Sequence, residues 1–130
     1  LKTGSKLLKP GVIPSVYETE MAKLVEAQLI NLGLLKNEDI KKQDPKKPLY
    51  KKYFMHGTAH HLGLDVHDVG LYSRPLEVGM VLTCEPGIYI PEEGIGCRLE
   101  NDYLITENGN INLTEAMPIE IEAIENLMKS

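Results

Sequence analysis

All four histidines of the chain lie between positions 56 and 67, in the segment His-Gly-Thr-Ala-His-His-Leu-Gly-Leu-Asp-Val-His. Random placement would scatter them along 130 residues. Imidazole binds metal ions and exchanges protons near neutral pH, so a cluster of histidines indicates a chemical site. Gly57 and Gly63 let the backbone turn tightly within the cluster.

Three common site motifs are absent. The zinc-protease helix motif needs a glutamate directly after its first histidine, and Gly57 stands there. Cys84 and Cys97 do not form the Cys-x-x-Cys pair of a zinc ribbon. No serine lies in the Gly-x-Ser-x-Gly turn of a hydrolase nucleophile.

Two glutamates lie inside apolar runs that predict strands over 80–90 and 95–106. Residues 91–94, Pro-Glu-Glu-Gly, predict a hairpin turn between them. With a two-residue loop at 92–93, Glu85 faces Glu100, with Cβ atoms about 5 Å apart. A three-residue loop would put the two side chains on opposite faces, unless a bulge at 86–87 restored them.

Two facing carboxylates repel each other unless a positive species lies between them. A divalent cation bound by His60, Glu85 and Glu100 is the predicted arrangement, and this ligand set suits Mn, Co, Fe or Zn. Pairing of a carboxylate with Arg98 or a lysine is the alternative. Asp65 and Asp68 flank His67 and are predicted to orient the histidines of the site.

Helices are predicted on either side of these segments. The first covers 15–33, with a capping box at Ser15 and Glu18 and a stop at Gly33. The last opens at Pro118 and runs to about Met128. A lysine-rich loop over 36–52 is predicted to be solvated, with attraction of peptide carboxylates or a partner as the alternative. The predicted class is α+β with an antiparallel sheet.

Composition narrows the function classes. The net charge of −5 argues against nucleic acid as a partner. No apolar run is long enough to span a membrane, for which about 18 residues are needed. Two cysteines do not make a disulfide framework, so a cytoplasmic location is expected.

At three places the chain resembles the pita-bread metallopeptidases. The segments HGTAHHLGLDVHD, LTCEPGIYI and IGCRLENDYLIT are similar, in order, to motifs of the C-terminal half of their catalytic domain. Within that family the Xaa-Pro aminopeptidases are most similar and the prolidases next. The resemblance implies a curved antiparallel sheet with flanking helices, and a single partial domain over 1–130.

The resemblance also implies roles for residues. Two divalent ions, manganese first and cobalt or zinc as alternatives, would be bound by His60, Glu85 and Glu100, with Glu85 also counted as catalytic. His56 and His67 would act on the reacting amide. Tyr89 and Arg98 would shape the pocket for proline. The substrate implied is a peptide with proline in second position.

The family's two aspartate ligands belong to an upstream segment that this sequence lacks. The chain alone is therefore expected to be inactive, to hold metal partially or not at all, and to self-associate as a homo-oligomer. Two alternatives remain. One is a dipeptidase of the prolidase type, and the other is a non-catalytic pita-bread module that binds peptides.

Overall fold

The computed structural model describes residues 1–129 and contains four helices and five strands in that range. The helices are α1 (Lys2–Ser5), α2 (Pro14–Asn31), α3 (Asn37–Ile40) and α4 (Ile121–Met128). The strands are β1 (Val81–Cys84), β2 (Gly87–Ile90), β3 (Ile95–Arg98), β4 (Asn101–Thr106) and β5 (Gly109–Asn112). Short 3₁₀ turns cover Leu49–Lys52 and Pro91–Glu93. Across residues 1–129, no helix has the length and apolar character needed to cross a membrane.

The predicted first helix is confirmed as α2. Its buried residues Tyr17, Met21, Val25 and Leu29 recur every four positions, which is the face of a helix that packs on a core. After its end, the N–H of Gly33 bonds to the carbonyl of Ile30, and that of Leu34 to Leu29, each at 2.9 Å. Gly33 has a φ of +74°, so this is the glycine-dependent Schellman ending.

The predicted capping box is wrong. The helix begins at Pro14, its N-cap is Ile13, and no side chain caps it. Proline suits the first helical position because its missing N–H has no partner there in any helix. Glu18 is thereby free for a different contact, described below.

Each of the two predicted long strands is broken in two. β1 pairs with β4, and β2 with β3, in one continuous antiparallel register running from Val81↔Leu104 to Ile90↔Ile95. This is the register that sets Glu85 opposite Glu100, as predicted. The connecting loop has four residues instead of two, the 3₁₀ turn Pro91–Glu93 followed by Gly94, and the change leaves the register unaltered.

The break falls at Glu85–Pro86 on one strand and Leu99–Glu100 on the other. Pro86 has no N–H for the ladder. Its partner Leu99 still donates to the Pro86 carbonyl, at 3.4 Å, and the N–H of Glu85 points to the other edge of the strand, where it donates to the carbonyl of Thr58 at 2.8 Å. The two glutamates therefore sit at a gap in the sheet, where side chains have room to converge.

The core lies between α2 and the sheet. Leu82 and Cys84 of β1 pack with Tyr17 and Met21 of α2 in one buried cluster. A second cluster joins the end of α2 to Tyr53 and Phe54. The predicted C-terminal helix is present as α4, three residues shorter at its start, and it contains no buried residue.

Candidate metal centre

The histidine segment runs along β1 as an additional strand-like partner. Backbone N–H groups of Leu62, Thr83 and Glu85 donate to the carbonyls of Val81, His60 and Thr58 at 2.8–3.1 Å. An isolated antiparallel bridge joins His61 to Leu82. The N–H of His60 donates to the hydroxyl of Thr83 at 3.1 Å. This alignment brings His60 beside the gap that contains Glu85.

His60 and Glu85 form the centre of the site. Nε2 of His60 lies 3.5 Å from Oε1 of Glu85, and both side chains are only 13% exposed. Leu82 and Cys84 face α2, so the alternating residues Thr83 and Glu85 are directed to the other face of the sheet. His60 and Glu85 were both predicted site residues, and the structure brings them together.

The hydrogen bonds of His60 orient its ring. Nδ1 lies 3.0 Å from the carbonyl oxygen of His61, which can only accept, so Nδ1 carries the hydrogen and donates. In the neutral ring Nε2 then presents a lone pair to the Glu85 carboxylate. Nε2 of His60 and Oε1 of Glu85 are then two acceptor atoms close together, an arrangement that favours a proton or a cation bound by both.

Arg98 stands between the two glutamates. Its guanidinium lies 3.6 Å from Oε2 of Glu85 and 3.8 Å from Oε2 of Glu100. The alternative of a carboxylate paired with Arg98 is therefore present in the structure. Among residues 1–129, no three His, Cys, Asp or Glu side chains are grouped closely enough to hold a metal ion.

His56 and Tyr89 form a second pair. Nδ1 of His56 donates to the carbonyl of Gly57 at 2.6 Å. Nε2 is then the acceptor, and the Tyr89 hydroxyl donates to it at 2.8 Å. Phe54 packs edge-on against the His56 ring, with centroids 4.6 Å apart. Two predicted site residues from separate segments are thus in direct contact.

His67 lies against His60, with ring centroids 4.3 Å apart. The prediction that Asp68 orients His67 is wrong. The Asp68 carboxylate instead accepts the N–H groups of Leu64 at 3.0 Å and Val69 at 2.8 Å. It closes the loop that carries His67 by satisfying backbone donors, as aspartate commonly does in turns.

One group that sequence reasoning missed is Glu18 of α2. Its Oε1 accepts the N–H groups of Thr58 at 2.9 Å and Ala59 at 3.0 Å. Its Oε2 accepts the Thr58 hydroxyl at 2.9 Å. Nothing in the local sequence pattern separates this role from helix capping, since the partners lie forty positions away.

The wall behind the site is apolar and poor in charge. The Tyr17 hydroxyl donates to Sγ of Cys84 at 3.3 Å, next to Glu85 in the chain. Burial raises the pKa of the Cys84 thiol above its ordinary value, and burial together with Cys84 raises the pKa of Tyr17. Both groups therefore stay neutral and hydrogen-bonded at physiological pH.

The sequence profile of metallopeptidase family M24 matches residues 1–107. The chain belongs to this family. It is 44% identical to the Xaa-Pro aminopeptidase of Escherichia coli K12, a match that covers 98% of this chain and 31% of that protein. The match to the Xaa-Pro aminopeptidase of Haemophilus influenzae is also 44% identical and covers 98% of this chain and 32% of that protein. The chain thus spans about a third of these relatives.

Structural comparison agrees with the sequence match. Zinc-substituted E. coli aminopeptidase P in complex with product superposes with a TM-score of 0.83 at 43% identity, over 99% of this chain and 32% of that one. This confirms the predicted pita-bread fold for the part that the chain provides. The resemblance to the Xaa-Pro aminopeptidase type is likewise confirmed.

Proposed function

We propose that this chain supplies His60, Glu85 and Glu100 to the metal centre of a peptidase that releases the N-terminal residue preceding proline. The observation that carries the proposal is the contact of 3.5 Å between His60 and Glu85 at the gap in the hairpin. The similarity to Xaa-Pro aminopeptidases over nearly the whole chain supplies the substrate class.

The donor set fits a divalent ion. One imidazole nitrogen with a free lone pair and two carboxylates suit manganese, with cobalt or zinc as alternatives. Such an ion polarises a carbonyl and lowers the pKa of water. The positive charge of Arg98 offsets part of the negative charge of the two carboxylates. Arg98 must move away from Glu100 before that carboxylate can bind a metal ion.

The other residues act on the peptide in this proposal. His67, whose ring packs at a tilt against His60, is exposed and placed to donate a hydrogen bond to the reacting amide. His56 is held by the Tyr89 hydroxyl, which fixes its ring at the edge of the site. Tyr89 and Arg98 border the space for the proline ring. A positioned acid or base contributes about 10²–10⁴-fold to rate.

Three properties of the protein accompany this proposal. The chain by itself is inactive, because the two remaining ligands come from outside it. The full-length protein that carries it acts in the cytoplasm. It works as a homo-oligomer, consistent with the apolar side chains that this chain exposes.

The test uses the full-length protein with manganese, cobalt or zinc added to the metal-free form. Release of the first residue from Xaa-Pro-Xaa peptides, but not from matched peptides with alanine in place of proline, is the expected result. Cleavage restricted to Xaa-Pro dipeptides would instead indicate prolidase activity. Peptide binding without cleavage under every metal would indicate a non-catalytic module.

A further inference from the structure

Thr58 connects Glu18 to the two segments that form the candidate metal centre, the histidine segment and the strand that carries Glu85. Its N–H and hydroxyl donate to the Glu18 carboxylate, and its carbonyl accepts the N–H of Glu85 at 2.8 Å. Thr58 is fully buried. His60 follows it by two residues and is pinned on the other side by Thr83. Thr58, a single buried residue, therefore links the backbone segment that carries His60 to the strand that carries Glu85.

The anchor for this link is rigid. Glu18 lies on α2, which has 18 residues. The residue before it, Tyr17, is buried, and its hydroxyl is hydrogen-bonded to Cys84 of β1, the neighbour of Glu85 in the chain. Consecutive residues of one helical turn thus contact the histidine segment and β1. Bonds from N–H groups to a carboxylate are roughly twice as strong as neutral ones. The Glu18 carboxylate accepts bonds from the N–H groups of Thr58 and Ala59, and a further bond from the Thr58 hydroxyl.

We propose that Glu18 is a positioning residue for the metal centre, setting the separation of His60 and Glu85 through Thr58. This inference rests on the proposed function for its catalytic consequence, whereas its structural part stands by itself. The carboxylate of Glu18 is hydrogen-bonded to Thr58 and Ala59, so it acts on the centre through the backbone of the histidine segment and not as a ligand. A displacement of about 1 Å in such a frame can cost on the order of 100-fold in rate.

The test compares Glu18→Ala with Glu20→Ala in the full-length protein. Glu20 lies on the same helix but pairs with Lys23 on its exposed side, so it is a matched control. Hydrogen exchange read by mass spectrometry is the first measurement. Glu18→Ala should speed exchange at Thr58, Ala59 and Glu85 by about tenfold or more, because charge-assisted bonds are lost. The β4–β5 pair should not change.

Kinetics on an Xaa-Pro-Xaa peptide is the second measurement. Glu18→Ala should lower kcat by about tenfold to 100-fold with a much smaller change in KM, because the peptide contacts are intact. Glu18→Gln should recover most of the loss. Its amide oxygen still accepts the two N–H groups, and its NH₂ group donates to the Thr58 hydroxyl.

Equal exchange and kcat in Glu18→Ala and Glu20→Ala would overturn the proposal. So would exchange that rises uniformly over the chain, which indicates general destabilisation. If Glu18→Ala does not fold, Thr58→Val removes only the hydroxyl bond and should raise exchange locally, and its failure to do so also overturns the idea. A wild-type protein inactive on Xaa-Pro peptides would refute the proposed function, and the exchange data would still decide the role of Glu18.

Discussion

The N–H of Glu85 donates to the carbonyl of Thr58, so the strand that carries the first site glutamate is joined along its outer edge to the histidine segment. Pro86 follows directly and has no N–H, so its pair with Leu99 keeps only one hydrogen bond, from the Leu99 N–H to the Pro86 carbonyl at 3.4 Å. The sheet thus opens beside His60, and a carboxylate only 13% exposed gains a nitrogen neighbour at 3.5 Å. The gap between β1 and β2 is therefore the place where the side chains of His60 and Glu85 meet.

The first prediction distinguishes the roles of His60 and His67, whose rings are in contact. In the full-length protein, His60→Ala should lower both metal content and kcat, because its Nε2 is the proposed ligand. His67→Ala should lower kcat by about 10²–10⁴-fold while leaving metal content nearly unchanged. Elemental analysis beside steady-state kinetics measures both. Equal metal loss in the two variants would reject this division of roles.

The second prediction concerns metal binding by the isolated chain. Calorimetry should find weak binding of manganese, since Arg98 already offsets part of the negative charge of Glu85 and Glu100 and further ligands are proposed to come from elsewhere. Arg98→Ala leaves the two carboxylates uncompensated, so this variant should bind the ion more tightly than wild type. Lys23→Ala, which removes a distant cation, is the control. Tight binding of two ions by the wild-type chain would contradict the prediction.

Local sequence patterns predicted the main helix and the pairing of the strands. The four-residue spacing of Tyr17, Met21, Val25 and Leu29 was sufficient for α2, because one helical face must be buried. The strand register followed from two apolar runs with a two-residue loop at 92–93, and the observed loop of four residues preserves it. These features depend on neighbours in sequence, which is why sequence reasoning reached them.

The missed features depend on distant partners. Glu18 has the spacing of a capping residue, but its acceptors are used by Thr58 and Ala59. The histidine segment joins β1 although its glycines and polar residues do not resemble a strand. β5 begins at the second residue of the turn dipeptide Asn108-Gly109, and its residues Gly-Asn-Ile-Asn have weak strand propensity, so the local pattern does not predict a strand there. In each of these cases the structure depends on contacts with residues far away in the sequence, which a local pattern does not contain.

The third prediction contrasts the two cysteines of the isolated chain. Cys97 is exposed on β3 and should react with a maleimide or disulfide reagent under native conditions. Cys84 is fully buried, and burial raises the pKa of its thiol, so less of the reactive thiolate exists at a given pH. Mass spectrometry should show one modification, located at Cys97. Rapid modification of Cys84 would show that α2 separates from β1.

The last prediction concerns the loop between the histidines and β1. Leu64 and Val69 are almost wholly exposed, at 105% and 91%, and Val66 and Leu71 are 67% and 61% exposed. This surface adjoins His67 and thus the candidate site. Apolar patches of this kind favour association, so the isolated chain should form oligomers through it.

Light scattering across a concentration series measures this association. The double substitution Leu64→Ser and Val69→Ser should shift the chain toward monomer, because it removes two of the most exposed apolar side chains of the loop. Val16→Ser with Ile95→Ser is the control, since these side chains are 52% and 56% exposed at other places on the surface. A wild-type chain that stays monomeric at high concentration would show that the loop does not mediate contact between copies. Equal loss of association in both double variants would mean that the contact is not specific to the surface beside His67.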